Sequence, residues 1–202
     1  MTRAYVIAGW RIDITARPGV SRLVSAAEVA RVVVAALVEA GAPSPASLTV
    51  VLSDDAELAE LNAAHLGHLG PTDVLSFPLL PPEAFPPHAG RPHAGRPHAG
   101  RPHAAPVPAD SALGANVSAA FVLPPRTRPH LGDIAVSVER AIAQASEGRG
   151  GHTGAVRWAP ADELRLLLTH GALHICGWDH AEPAEAAAMR AVERHVLGIV
   201  PD

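Results

Sequence analysis

Thr169-His170-Gly171-Ala172-Leu173-His174-Ile175-Cys176-Gly177-Trp178-Asp179-His180 holds three of the chain's twelve histidines, and its reading decides the rest. Leu164, Leu167 and Leu168 before it, and Leu173 and Ile175 within it, recur with a helical period, so a helix is predicted here. Residues four apart share a helix face, which aims His170 and His174 at one point. Gly177 accepts a left-handed backbone without strain, ending the helix and letting the chain bring His180 back toward the other two. The spacing H-x3-H-x5-H is therefore a three-ligand cup. Three neutral imidazoles suit one divalent ion, zinc first, at nitrogen distances near ~2.0 Å and with a fourth position left for water. Nickel or copper accepts the same donors. Water in that position is acidic enough to ionise near neutral pH, and the cation polarises a phosphoryl or carbonyl oxygen, so the expected chemistry is hydrolysis. A histidine pair four apart is equally at home on an ordinary helix surface; the third histidine beyond a glycine turn is what favours a metal site.

The peptidase motif H-E-x-x-H uses the same pair with a glutamate as general base. Gly171 stands in that glutamate's place, so a zinc peptidase would need a base from elsewhere.

The stretch His170–His180 resembles the signature H-G-x-L-H-L-x-G-Y-D-H of the YbeY family, metal-dependent single-strand endoribonucleases and ribosomal RNA maturation factors. Pro71–Pro78 (P-T-D-V-L-S-F-P) and Leu131–Ile134 (L-G-D-I) match the family in the same chain order. The resemblance spans roughly Leu48 to Leu197 apart from a long insertion. It implies one divalent metal, most simply zinc, on His170, His174 and His180. It also implies action on ribosomal RNA and the small ribosomal subunit, in late maturation and quality control, with no DNA partner. Thr72, Asp73 and Ser76 become candidate walls of the substrate groove, although T-D-V-L-S-F is also a plain strand. Asp179 either orients a ligand histidine for catalysis or caps a turn. The sequence departs from the family at Leu66, which counting back from Pro71 places where N-x-x-Y-R has its arginine, with Asn62 on the asparagine and His65 on the aromatic. A leucine cannot grip a phosphate with a fork of donors. Arg126, Arg128 and Arg157 are candidates to substitute for it. The departure motivates an alternative from another class, a non-catalytic ribosome assembly factor whose zinc is structural.

Composition bounds these readings. The chain has 202 residues, 48% of them hydrophobic, enough for one core-bearing domain over 1–202. Net charge is −4 and all sixteen basic residues are arginine, so no strongly basic nucleic-acid face is evident, though clustered arginines can still grip phosphates. Aromatic residues make up 3%, leaving few platforms for stacking bases. Cys176 alone cannot form an intramolecular disulfide, which suits a reducing compartment. It lies about 200° around the helix from His174, so packing is favoured over ligation. No signal peptide or membrane span is evident, and a cytoplasmic protein is expected.

The remaining elements follow from pattern. Tyr5–Thr15, with the alternation R-I-D-I-T, reads as a first strand. Ser25 with Glu28 forms a capping box ahead of a helix striped by Val29, Val32, Val33, Ala36 and Leu37, ending at Gly41. Leu48–Leu52 reads as a second strand, and Asp54 caps a helix that ends at Gly67. Thr72–Phe77 is the third strand, with Thr72, Val74 and Ser76 on one face and Asp73, Leu75 and Phe77 on the other. Leu131–Val138 is the fourth strand, followed by a helix from Glu139, a glycine-rich loop over Gly148–Trp158, and the metal helix from Pro160. A closing helix from Pro183 offers Ala187, Met189, Val192, Val196 and Leu197 for packing and is expected to buttress the third ligand. Between strands three and four, roughly Leu80–His130, proline, alanine, glycine and histidine dominate, and P-H-A-G-R repeats three times from Pro87. This stretch reads as a disordered or polyproline-like insertion. Its histidines and arginines could touch metal or RNA, or it could be a tolerated repeat expansion. The predicted fold is α+β: a small mixed four-stranded sheet covered by helices, with a zincin-like metal helix.

Overall fold

A computed structural model describes residues 2–89, 128–147 and 159–199. The element order is β1 (Thr2–Ile7), β2 (Trp10–Ala16), α1 (Ala26–Glu39), β3 (Ala46–Ser53), α2 (Asp55–Leu66), β4 (Val74–Pro78), β5 (His130–Ser137), α3 (Val138–Ser146), α4 (Pro160–Ile175) and α5 (Pro183–Leu197), with a 3-10 turn at Pro82–Ala84. The five strands form one mixed sheet in the order β1-β2-β3-β5-β4. The outer pairs β1/β2 and β4/β5 are antiparallel, and β2/β3 and β3/β5 are parallel.

The sheet has five strands where four were expected, because Tyr5–Thr15 is a hairpin. Ala8 (φ 49°) and Gly9 (φ 92°) make a two-residue turn in which both backbones are left-handed, the geometry whose twist matches the flanking strands. Such turns usually announce themselves as Asn-Gly or Asp-Gly; here alanine fills the first position, and the reversal was hidden inside an apolar run. The third strand starts two residues later than expected and ends on Pro78, which β4 tolerates as an edge strand.

Strand alternation sorts side chains between two cores. Ile12, Ile14, Leu48, Val50, Ile134 and Val136 enter the main core with α1 and α4. Leu75 and Ala135 point the other way, to Leu58 of α2, with Val51, Leu61, Leu66 and Phe77 packed around them. Helix caps follow the sequence: the Ser25 hydroxyl accepts from the Glu28 N–H and the Asp54 carboxylate from the Glu57 N–H. The Glu28 side chain does not complete the expected capping box and pairs instead with Arg165 of α4.

Helix α4 lies at the centre. Leu164, Leu167, Leu168, Ala172, Leu173 and Ile175 are buried, each larger side chain contributing roughly 1.5–3 kcal/mol. Its approach to the sheet is closest at Gly171, where an added Cβ would meet Ile134 Cγ2 at 2.9 Å, Val74 Cγ2 at 3.1 Å and Ser76 Oγ at 3.2 Å. A second close approach is at Gly132 (φ 150°), where a Cβ would lie 2.3 Å from the Phe77 carbonyl oxygen and 2.7 Å from Ile175 Cδ1. The L-G-D-I and H-G-A-L-H glycines thus let β5, β4 and α4 stack at short range.

The insertion reading needs correction at its start. Residues 80–89 are ordered against the core: Phe85 is buried among the main-core residues, and His88 stacks on Trp178 with ring centroids 4.0 Å apart and planes 7° from parallel. An aromatic at a core position and proline-fixed turns hold this segment in spite of its composition. At the far end, the Pro129 carbonyl accepts from the Ser47 N–H. The rest of the insertion, the repeats included, and the Gly148–Trp158 loop lie outside the described residues.

Candidate metal centre

The last turns of α4 carry His170 and His174 on the face left uncovered by the core, and the chain after the helix supplies His180. Helix termination is as the sequence dictates: Gly177 adopts φ +83°, and the Gly177 and Trp178 N–H groups close back onto the His174 and Leu173 carbonyls. The Asp179 carboxylate, buried, accepts from the His180 backbone N–H at 2.7 Å. That bond is of the turn-capping kind and sets the path of the loop that presents His180. Ligand-capable atoms of His170, His174 and His180 lie within 4.8 Å of one another.

Hydrogen bonding on the far side of the His170 and His174 rings fixes which of their nitrogens faces inward. His170 Nδ1 lies 2.7 Å from Glu193 Oε1, and His174 Nδ1 lies 2.8 Å from the Trp178 carbonyl oxygen. Both partners are acceptors, so both Nδ1 atoms carry the proton and both Nε2 atoms present lone pairs. Those two Nε2 atoms are 3.0 Å apart. At that separation the two nitrogens either share a proton or flank a cation. A tetrahedral zinc with nitrogens at 2.0–2.1 Å sets its ligands roughly 3.3 Å apart, so the donor set fits a divalent ion with little adjustment.

Glu193 escaped the sequence reading. It occupies α5 at a core-facing position, seven and four residues from Ala186 and Met189 on the same stripe, and is 8% exposed. A glutamate in an apolar stripe was the available signal. Helix α5 therefore buttresses the first ligand through Glu193, where the third was expected, and Ala187, expected to pack, is exposed. Cys176 is buried in the core, and burial raises its thiol pKa well above the ordinary range. It stays a protonated packing residue.

The three histidines open onto a cleft of about 530 Å³. Thr72, Asp73 and Ser76 all line it. Ser76 donates to the Gly171 carbonyl at 3.0 Å, tying β4 to the metal helix. Asp73 is turned away from duty as an open carboxylate: its Oδ1 accepts from the Val74 N–H and its Oδ2 from Gln144 Nε2, each at 2.9 Å. Asn62 Nδ2 donates to the Gly70 carbonyl at 2.9 Å and shapes the loop into β4. Leu66 lines the cleft, so the departure from the family's arginine falls at the site itself. Of the arginines expected to replace it, Arg126 and Arg157 lie outside the described residues, and Arg128 is exposed away from the cleft lining. Arg190 and Arg194 of α5 line it instead.

Known proteins resemble this chain throughout. A family model described as Endoribonuclease YbeY matches residues 19–200. A protein named Endoribonuclease YbeY from Roseiflexus sp. (strain RS-1) is 33% identical over 187 residues, covering 92% of this chain and 90% of its own. One of the same name from Chloroflexus aggregans is 34% identical over 175 residues, 86% of each chain, and one from Salinispora tropica is 35% identical over 163 residues, 80% of this chain and 79% of its own. With the motifs in order along the chain and the match running nearly end to end, the chain belongs to the YbeY endoribonuclease family.

Proposed function

We propose that this protein is a metal-dependent endoribonuclease that cuts single-stranded RNA in late ribosomal RNA maturation and ribosome quality control, acting in the cytoplasm on RNA of the small ribosomal subunit. Among the described residues, no helix is long and apolar enough to cross a membrane. The observation that carries the proposal is the convergence of His170 and His174 Nε2 lone pairs at 3.0 Å, with His180 closing the triad. These three residues would hold one ion, most simply zinc. A divalent ion there supplies Lewis acidity toward a phosphodiester oxygen and toward an attacking water or ribose hydroxyl. Glu193 and the Trp178 carbonyl lock the tautomers, Asp179 sets the His180 backbone, and Ser76 holds β4 as a wall beside the cup.

A peptidase reading is disfavoured by space. Position 171 cannot hold the glutamate of H-E-x-x-H, because even a Cβ there meets three atoms within 3.2 Å. The second reading, a zinc-containing assembly factor without turnover, is favoured by one observation, leucine at position 66 on the cleft wall.

The test offers the purified protein a single-stranded RNA, an RNA duplex and casein, with and without chelator, beside His170→Ala and with metal analysis of both. Chelator-sensitive cutting of the single strand alone, one ion per chain and loss of both in the variant are expected. Bound metal and ribosome association without cutting would select the assembly factor. Loss of casein would select the peptidase.

A further inference from the structure

The cleft has two unlike walls. On the β4 side it is lined by apolar groups, Leu66, Val74, Phe77, Pro78 and Leu80. The lining is completed by one face of α5, formed by Ala186, Met189, Arg190, Glu193, Arg194 and Leu197, whose spacing is that of a single helical stripe. Arg190 and Arg194 are the only arginines lining the cleft among the described residues. Neither forms an ion pair among the described residues, whereas Arg11, Arg17, Arg140 and Arg165 all do. The nearest acid in sequence, Glu193, is committed to His170. The remaining carboxylates on the lining are placed otherwise: Asp73 on Gln144 and its own strand, Asp179 on the His180 backbone, and Glu163 buried on α4.

One helical turn separates the two arginines by about 6 Å along the axis, so the α5 lining carries two guanidinium groups on successive turns, a short cationic rail. Guanidinium presents a planar fork of donors that matches phosphate oxygens. A polyanion with an apolar side suits such a cleft, and single-stranded RNA has both: charged phosphates on one flank and bases, when unstacked, on the other. A duplex keeps its bases stacked inside and cannot offer them to the β4 wall.

Resting on the RNA-cleaving reading above, we propose that Arg190 and Arg194 form a phosphate clamp on α5, seating neighbouring phosphates of a single-stranded RNA so that its bases lie against the apolar wall of Leu66 and Phe77. The clamp makes α5 a double-duty element, holding His170 through Glu193 and the substrate through the residues flanking it. Substrate grip then comes from α5 instead of the position where the family carries its arginine.

Binding of a fluorescein-labelled single-stranded oligoribonucleotide to the full chain, measured by anisotropy between 50 and 200 mM salt, tests this. For Arg190→Ala/Arg194→Ala the slope of log K against log salt should shrink by about 1.4, that is about 0.7 for each lost phosphate contact, and affinity at 50 mM should fall on the order of tenfold or more. Arg190→Lys/Arg194→Lys should recover the slope. The exposed Arg31→Ala on α1 should leave it near wild type, and metal content should be unchanged in all. A wild-type slope in the double alanine variant, with circular dichroism showing it folded, overturns the clamp while leaving RNA cleavage standing. Failure of the wild type to bind or cut RNA overturns the clamp and the RNA reading together. Tight binding of an acidic peptide that the same variants lose, with no RNA binding, reassigns the rail to a protein partner.

Discussion

Glu193 and Gly171 show how much of a candidate metal site is decided by residues outside the histidine triad. The Glu193 carboxylate fixes the tautomer and orientation of His170 from the far side of the ring; partners of this kind typically govern 10–100-fold of metal affinity. Glu193→Gln should therefore weaken zinc binding by about 10–100-fold in a chelator competition, with the far-ultraviolet spectrum unchanged. Gly171 acts by absence. Gly171→Ala forces a methyl group against Ile134, Val74 and Ser76, and such overpacking costs roughly 1–3 kcal/mol, to be read from denaturant midpoints at constant m-value. Of these two roles the sequence showed one: glycine in place of the peptidase glutamate was plain, but its service as a contact point for the sheet was not. Residues that meet across elements, as His170 and Glu193 do from 23 positions apart, leave only a faint trace, here a carboxylate within an apolar stripe. The cluster of His170, His174 and His180 was legible because helix period and a glycine turn bring the three together locally.

At the scale of elements, what was readable follows the same divide. Helices α1 and α2, each with a side-chain N-cap, and α4, with its apolar run, formed close to where pattern placed them. The β1–β2 hairpin was missed because Ala8-Gly9 lacks the usual turn residues, and the 80–89 segment was misjudged because one buried Phe85 outweighs a proline-rich composition. The loop between α2 and β4 offers a test of how elements set the cleft. Asn62 is buried and reaches the Gly70 carbonyl; Asn62→Ala removes that hydrogen bond at a cost of about 0.5–1.5 kcal/mol. Because Thr72 and Ser76 follow directly, RNA affinity should drop along with stability, whereas the zinc content should hold.

For the molecule as a whole, electrostatics is spread over pairs that bind neighbouring elements. Arg17, just after β2, grips Glu57 of α2, and this hydrogen bond is the main cause holding the Glu57 carboxyl below the ordinary carboxylate range, with Ser53 adding to it. A carboxyl depressed in the folded state contributes stability that is fully present above its unfolded value and disappears as pH falls through the folded one. Urea midpoints should accordingly decline as pH drops below about 4.5, and Arg17→Ala should flatten that acid limb while lowering the neutral plateau.

Helix α4 gives two of its side chains to the metal cup and most of the others to the hydrophobic interior, against α1, α3, α5 and the sheet. Occupancy of the cup is thereby coupled to the folding equilibrium of the entire chain: an ion that prefers the native arrangement adds about 4.1 kcal/mol when present at a thousand times its dissociation constant. Chelator should act on the wild type as a mild denaturant, shifting its melting midpoint downward, and have no such effect on His170→Ala/His174→Ala, whose melting curve should superimpose with and without the chelator.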